Sequence, residues 1–141
     1  MRTVFWDDAA CQVKMIDQRV LPARLEIVAC ASPDEVAAAI RNMTVRGAPA
    51  IGASAAFGMA LAGMQSPADR VRDWQGHMRK AAVLLKSTRP TAVNLAWAVD
   101  RQLDLSRTWS ASAGAAPDPA ELAAILLAQA ERIADEDLSA C

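Results

Sequence analysis

The 141-residue chain reads as an α+β fold. A small antiparallel sheet of about three strands occupies residues 1–30, and a mainly α-helical bundle follows in residues 31–141. Three observations lead there. Before Ser32 there are three short β-prone runs, the third with its residues dealt alternately to two faces as in a half-buried strand. After Ser32 the apolar residues recur every three or four positions, the period of an amphipathic helix. Three segments, Ser32-Pro33-Asp34-Glu35, Ser66-Pro67-Ala68-Asp69 and Asp118-Pro119-Ala120-Glu121, pair a capping residue with a proline in the manner of helix starts.

The first two strands are Thr3–Asp7 and Gln12–Asp17, joined by a hairpin loop at Asp8-Ala9-Ala10-Cys11. The third is Leu25–Cys30, with Leu25, Ile27 and Ala29 on one face and Glu26 and Val28 on the other; Pro22 interrupts the connection. The first helix starts at Ser32 and carries Val36, Ile40 and Met43 on one side. Gly47 breaks that pattern, and a second helix opens near Ala48 or Pro49 and runs to about Ala62, with Gly63 as its stop. Ala50, Gly52, Ala53, Ser54, Ala55, Ala56, Gly58 and Ala60 are too small to form a bulky core stripe. This helix is therefore expected to be buried on several sides, with neighbouring backbones close.

A third helix follows Ser66, with Val71, Trp74, Met78, Ala81 or Ala82, and Leu85 on its apolar face. It ends near Lys86-Ser87-Thr88-Arg89-Pro90, and Pro90 disfavours helical geometry at Arg89, which places Arg89 in a turn. A fourth helix runs from about Thr91 to Leu105 with Val93 and Trp97 facing inward. Residues from Ser106 to Pro117 read as a mobile surface loop, and a last helix extends to about Leu138. The final residues, Asp137-Leu138-Ser139-Ala140-Cys141, carry neither a helix stop nor a polar tail, the pattern of a chain cut at a domain boundary.

Composition narrows the function classes. Lys plus Arg is 15 and Asp plus Glu is 16, so the basic excess of a non-specific nucleic-acid binder is absent. No apolar run reaches the ~18 residues of a membrane span. Acidic residues arrive at Asp7 and Asp8 before any apolar stretch, unlike a secretory signal. Cys11, Cys30 and Cys141 are odd in number and far apart, and His77 is the only histidine. Neither a metal site nor a disulfide framework is expected, and a reducing cytoplasm is the expected compartment. His77 reads as a rim residue of its helix, Cys11 and Cys30 as strand-end packing residues, and Asp7, Asp8 and Asp17 as turn formers.

Two segments stand out chemically. Thr44-Val45-Arg46-Gly47-Ala48-Pro49-Ala50-Ile51-Gly52 joins two helices through a short loop. The free N–H groups and dipole of the second helix attract anions. Gly47 permits close approach to the backbone, and Arg46 adds a planar cation suited to phosphate or carboxylate. The competing reading is a tight helix–helix turn with Arg46 in solvent. In Ser87-Thr88-Arg89-Pro90-Thr91, Arg89 is placed to be a second arm of an anion clamp, against the plainer reading of a helix end with an exposed cation. The glycine spacing of a Walker loop or dinucleotide fingerprint is missing.

These segments resemble a known family. Val45-Arg46-Gly47-Ala48-Pro49-Ala50-Ile51-Gly52 is similar to the VRGAPAIG signature of methylthioribose-1-phosphate isomerases. Thr88-Arg89-Pro90-Thr91-Ala92-Val93-Asn94-Leu95 is similar to their TRPTAVNL segment, and Trp6-Asp7 with Ile16-Asp17-Gln18-Arg19-Val20-Leu21-Pro22 to their opening pattern. The wider group includes ribose-1,5-bisphosphate isomerase and regulatory subunits of a translation initiation factor exchange complex.

The resemblance implies that residues 1–141 are a single N-terminal domain of a larger α/β enzyme. A Rossmann-like catalytic domain would follow, and a homodimer would be usual. It implies conversion of 5-methylthioribose 1-phosphate to 5-methylthioribulose 1-phosphate in methionine salvage, without a cofactor. Arg46, Gly47, Ala48 and Arg89 would contact the sugar phosphate. The family's CNTG-type and GADR-type catalytic motifs do not occur here, so no catalytic residue is expected in this chain and the isolated chain is expected to be inactive. The alternatives are a non-catalytic interaction module related to the exchange-complex subunits, a ribose-1,5-bisphosphate isomerase, and a helical scaffold whose Arg-Gly turn is purely structural.

Overall fold

The β-prone runs of the first thirty residues become a three-stranded antiparallel meander in the computed structural model, which describes residues 3–65, 71–112 and 119–139. The strands are β1 (Val4–Asp7), β2 (Gln12–Ile16) and β3 (Ile27–Cys30). Val4 pairs with Met15, Trp6 with Val13, Val13 with Cys30 and Met15 with Val28. These residues share one pleat face. Val13 and Met15 are fully buried there, and Trp6 stacks nearly parallel on Phe57, with ring centroids 6.1 Å apart. The other face carries an ion pair between Lys14 and Asp7 at 2.6 Å and leaves Ile27 exposed. The third strand begins at Ile27, two residues later than its apolar run, because the Asp17 N–H donates to the Glu26 carbonyl at 2.8 Å and closes residues 17–26 into a loop.

The base of that loop holds a buried carboxylate. Asp17 is 3% exposed and accepts three hydrogen bonds from Arg19: from its backbone N–H at 2.9 Å, Nε at 3.0 Å and Nη2 at 2.9 Å. A buried charge is tolerated only when paired and hydrogen-bonded. Turn chemistry, expected at Asp7, Asp8 and Asp17, uses the carboxylate at two of them, Asp7 accepting from Ala10 N–H and Asp17 from Arg19 N–H; at Asp8 the backbone carbonyl accepts from Cys11 N–H, while the carboxylate accepts from Trp6 Nε1.

Five helices follow: α1 (Pro33–Arg41), α2 (Ala48–Met64), α3 (Val71–Thr88), α4 (Val93–Ser112) and α5 (Pro119–Ser139). Ser32 caps α1 by accepting from Glu35 N–H at 3.2 Å, while the Glu35 carboxylate reaches back to Ala31 N–H at 3.4 Å. Val36 and Ile40 are buried as expected. Met43 is not on their face: the helix closes at Arg41, and Met43 adopts a left-handed φ of 68° with its side chain exposed.

The small-residue helix α2 is the centre of the molecule. Every residue from Ile51 to Gly63 is buried, and α2 touches all four other helices as well as β1 and β2. At Gly58, an added Cβ would lie 3.1 Å from Leu85 Cδ1 and 3.3 Å from Val36 Cγ1. Gly63 does not stop the helix, which continues to Met64. Its lack of a side chain instead admits Trp74 and Leu126, and its carbonyl accepts from Trp74 Nε1 at 3.2 Å.

On α3 the expected face is seen in Trp74, Met78, Ala81, Ala82 and Leu85, all buried. The side chain of Val71 and the caps at 66–69 and at Asp118 lie outside the described residues. The fourth helix corrects two expectations. It continues through Ser112, so the first half of the expected loop from Ser106 is helical, with Ser106 itself buried; residues 113–117 lie outside the described residues. Its inward residues are Leu95, Ala98, Val99 and Gln102, whereas Val93 is 77% and Trp97 52% exposed.

The phase of α4 is set by polar as well as apolar packing. Gln102 Nε2 donates to Ala56 O at 2.9 Å on α2 and to Leu126 O at 2.8 Å on α5. Gln129 Nε2 donates to Gln102 Oε1 and to Arg101 O, both at 3.1 Å. Turned outward, Trp97 lies beneath Arg101, whose guanidinium sits 4.8 Å from the ring centroid and forks onto Glu136 at 2.8 and 3.0 Å. No helix among the described residues is long and apolar enough to cross a membrane.

Two outcomes follow. Gly58→Val inserts methyl groups where a single Cβ already meets Leu85 and Val36 at 3.1–3.3 Å. It should lower unfolding free energy by about 1–3 kcal/mol, seen as a lower urea midpoint with unchanged slope. In the second, Lys14 beside Asp7, Arg19 beside Asp17 and Arg101 beside Glu136 hold those carboxyls below their ordinary range. The unfolded chain thus takes up protons first as pH falls. The stabilisation is complete above about pH 5, declines below the ordinary carboxylate values of ~4, and is lost once the folded groups protonate. Urea midpoints measured from pH 6 to 2 should trace this decline, and Asp17→Asn should shallow it.

Candidate functional site

The connection from α1 to α2 anchors itself in the core and then emerges at the surface. Asn42 Oδ1 accepts from Thr44 N–H at 3.0 Å and Thr44 Oγ1 at 2.6 Å, and Val45 N–H donates to Ala39 O at 3.4 Å. Thr44 and Val45 are each 1% exposed. Arg46, Gly47 and Ala48 then follow at the exposed surface. Gly47 has φ 92° and ψ 134°, a backbone that L side chains rarely adopt. No heavy atom lies within 4 Å of the point where its Cβ would stand, so the space over this turn is open among the described residues.

That turn leaves the α2 N-terminus unusually bare. Gly47 supplies no side-chain cap, and the first turn holds no acidic residue, in contrast to α1 with Ser32, Asp34 and Glu35. The Gly47 carbonyl accepts from Ile51 N–H at 2.9 Å and starts the helical ladder. The positive end of the helix dipole is therefore not neutralised from within its own sequence. Arg46 stands beside it, with Nη2 donating to the Gln18 carbonyl at 3.1 Å and no carboxylate partner among the described residues.

The second segment meets the first. Gly52, one turn into α2, lies so close to α4 that an added Cβ would be 3.2 Å from the carbonyl oxygen of Asn94 and 3.5 Å from its Cβ. Asn94 is the second residue of α4, so the two helices touch close to both of their N-termini. The first turn of α4 also lacks an acidic residue. Arg89 occupies the expected turn, its carbonyl accepting from Ala92 N–H at 2.9 Å. It is half-buried and has no ion-pair partner among the described residues. The neighbouring hydroxyls do not join it: Ser87 Oγ donates to Leu84 O at 2.7 Å and Thr88 Oγ1 to Leu85 O at 2.6 Å, both turned back on α3. Lys86 is engaged with Asp100.

Arg46 and Gly47 thus lead into α2, which Ala48 opens, and Arg89 lies in the turn before α4, the two helices touching at the Gly52–Asn94 contact. Two helix N-termini without acids, together with two arginines lacking carboxylate partners among the described residues, form an arrangement suited to an oxyanion. Sequence reasoning did not foresee the part of residues 17–19. Gln18 N–H donates to Thr44 O at 2.8 Å, and the Gln18 carbonyl holds Arg46. The Ile16–Pro22 pattern was the available signal, but nothing in it tells which segment it will face.

Other candidates do not converge here. Cys30 is buried, and desolvation pushes its thiol up to about 11, which suits packing and not nucleophilic chemistry. Cys11, expected to pack at a strand end, is instead exposed in the β1–β2 loop, where its φ of 53° turns the chain. His77 is half-buried on α3, and Cys141 lies outside the described residues.

Known proteins are similar to this chain in sequence and fold. The methylthioribose-1-phosphate isomerase of Herpetosiphon aurantiacus is 48% identical over the whole chain, which spans 38% of that protein's length. That of Roseiflexus is 45% identical, again with 38% of its length spanned. A crystal structure of 5-methylthioribose 1-phosphate isomerase from Pyrococcus horikoshii superposes with a TM-score of 0.83 at 41% identity, over 96% of this chain and 36% of that one. A crystal structure described as translation initiation factor eIF-2B subunit delta from A. fulgidus gives a TM-score of 0.85 at 39% identity, over 98% and 38%. The chain therefore spans little more than a third of the length of these relatives. Residues 44–141, which begin at the Arg46 loop and run through all four helices after it, match the profile of the Initiation factor 2 subunit family, and the chain belongs to that family.

Proposed function

We propose that this chain is the substrate-holding N-terminal part of an aldose–ketose isomerase that converts 5-methylthioribose 1-phosphate to 5-methylthioribulose 1-phosphate. One observation supports the reading: α2, which the Arg46–Ala48 loop opens, and α4, which the Arg89 turn precedes, touch within their first turns at the Gly52–Asn94 contact. The names of the relatives supply the substrate class.

The chemistry divides accordingly. A phosphate on C1 of the sugar blocks simple ring opening, so the enzyme must assist that opening and move hydrogen between C1 and C2. Such steps need positioned acid and base groups. Arg46, Gly47, Ala48 and Arg89 offer cations and N–H donors and neither a carboxylate nor an imidazole, so in this reading residues 1–141 form one domain that binds while a following Rossmann-like domain carries the acid–base chemistry. Arg46 and the bare N-terminus of α2 grip phosphate oxygens, and Arg89 adds a second cation from the turn before α4. Their task is orientation and exclusion of water from the reacting carbons. A cytoplasmic homodimer without a metal or cofactor completes the proposal.

A second reading, a non-catalytic interaction module, draws on the likeness to the structure described as an eIF-2B delta subunit. It requires no anion at the Arg46–Arg89 site.

The test grafts residues 1–141 in place of the matching segment of the Herpetosiphon isomerase and measures turnover of 5-methylthioribose 1-phosphate. Charge-assisted hydrogen bonds contribute about 1.5–3 kcal/mol each, so Arg46→Ala and Arg89→Ala should each lower kcat/KM by tens-fold or more. Far-UV circular dichroism should stay unchanged. Wild-type kinetics in both variants would sink the substrate-holding reading and favour the interaction module.

A further inference from the structure

We propose that Asp17 and Arg19 are positioning residues that act through the Gln18 carbonyl to hold Arg46 ready for its anion. The proposal rests on the reading of Arg46 as an anion ligand and adds the device that orients it.

The geometry is a short relay. Arg46 is exposed, and a free arginine at a surface samples many rotamers that must be given up on binding. Here one of its five N–H donors is already committed, Nη2 to the Gln18 carbonyl at 3.1 Å, 28 residues away in sequence. A carbonyl orients an arginine only if it is itself immobile. The Gln18 peptide is fixed from several directions: Asp17 N–H donates to Glu26 O at 2.8 Å, Gln18 N–H to Thr44 O at 2.8 Å, and Arg19 N–H to Asp17 Oδ1 at 2.9 Å.

The Asp17 carboxylate is the keystone of these contacts. It takes the backbone N–H and both Nε and Nη2 of Arg19, and its side chain is 4% exposed while that of Arg19 is 48% exposed. The buried, arginine-forked carboxylate belongs to the residue just before Gln18, whose carbonyl holds Arg46, and Thr44, which receives the Gln18 N–H, lies two residues before Arg46. The relay therefore grips the Arg46 loop at two points, one on its backbone and one on its guanidinium.

A merely structural role for Asp17 predicts lower stability with no specific effect on Arg46. The positioning role predicts coupling to it. Two readouts separate them in the 141-residue chain, with folding checked by circular dichroism: ¹⁵N relaxation at the Arg46 guanidinium without ligand, and titration with inorganic phosphate. Asp17→Asn should raise Arg46 side-chain mobility to that of an unheld surface arginine and weaken phosphate binding about three- to tenfold. In an Arg46→Ala background the same substitution should have no further effect on phosphate affinity.

Should Asp17→Asn fail to fold, Arg19→Gln keeps the backbone bond to Asp17 and removes only the fork, and it should move both readouts in the same direction. Unchanged Arg46 mobility and phosphate affinity in Asp17→Asn or Arg19→Gln, with binding still lost in Arg46→Ala, would overturn the positioning role and leave the anion site standing. Phosphate binding that is absent from the wild-type chain, or indifferent to Arg46→Ala, would overturn the anion site and the relay with it.

Discussion

Room around α2 is the constraint on which the rest of this structure depends. A helix buried from Ile51 to Gly63 on every side must carry side chains small enough for its neighbours to reach it. Glycine at 52, 58 and 63 admits Asn94 of α4, Leu85 of α3, and Trp74 with Leu126 of α3 and α5. Much of the bulk comes from the surrounding elements, where Trp74, Met78, Leu85, Leu95, Leu122 and Leu126 pack with Phe57, Met59 and Leu61 of α2. The close approach also forces the helices to share polar atoms, and Gln102 bridges α2 and α5 through two carbonyls in the interior.

The same constraint builds the site. Because α4 touches α2 at Gly52, the first turns of the two helices lie side by side. The body of α2 is buried, but its N-terminus leaves the core through Gly47 with no cap and no acid. A helix of this kind concentrates its uncompensated donors at one exposed end. The small sheet contributes more than a cover for Phe57. Its loop at 17–26 carries the carbonyl that meets Arg46, so strand, loop and helix converge on one guanidinium.

Most of the elements were legible because each has a local cause. The β-prone runs gave three strands, Ser32 and Glu35 form the expected cap, and the small-residue run foretold burial on several sides. The failures share a different cause. Gly63 reads locally as a stop, yet it is an interior contact whose reason lies on α3 and α5. Val93 and Trp97 read as inward because they are apolar, but the phase of α4 is set by Gln102 and by Asn94 against Gly52, which turns Trp97 outward under Arg101. Ser106 to Ser112 read as loop from small polar residues, yet Ser106 is buried and the helix continues. At Gly63, Val93 and Trp97 tertiary packing outweighed a local preference of ~1 kcal/mol or less.

For the site, the residue types and their two segments were visible in the sequence: Arg46 and Gly47 before one helix, Arg89 and Pro90 before another. Glycine at 47 and proline at 90 act on backbone angles within one or two residues, and such effects need no knowledge of the rest of the chain. That α2 and α4 touch at Gly52 and Asn94, and that Gln18 holds Arg46, were decided only on folding. Those are contacts between residues tens of positions apart. Their geometry follows from how closely α2 lets its neighbours approach, which no local period encodes.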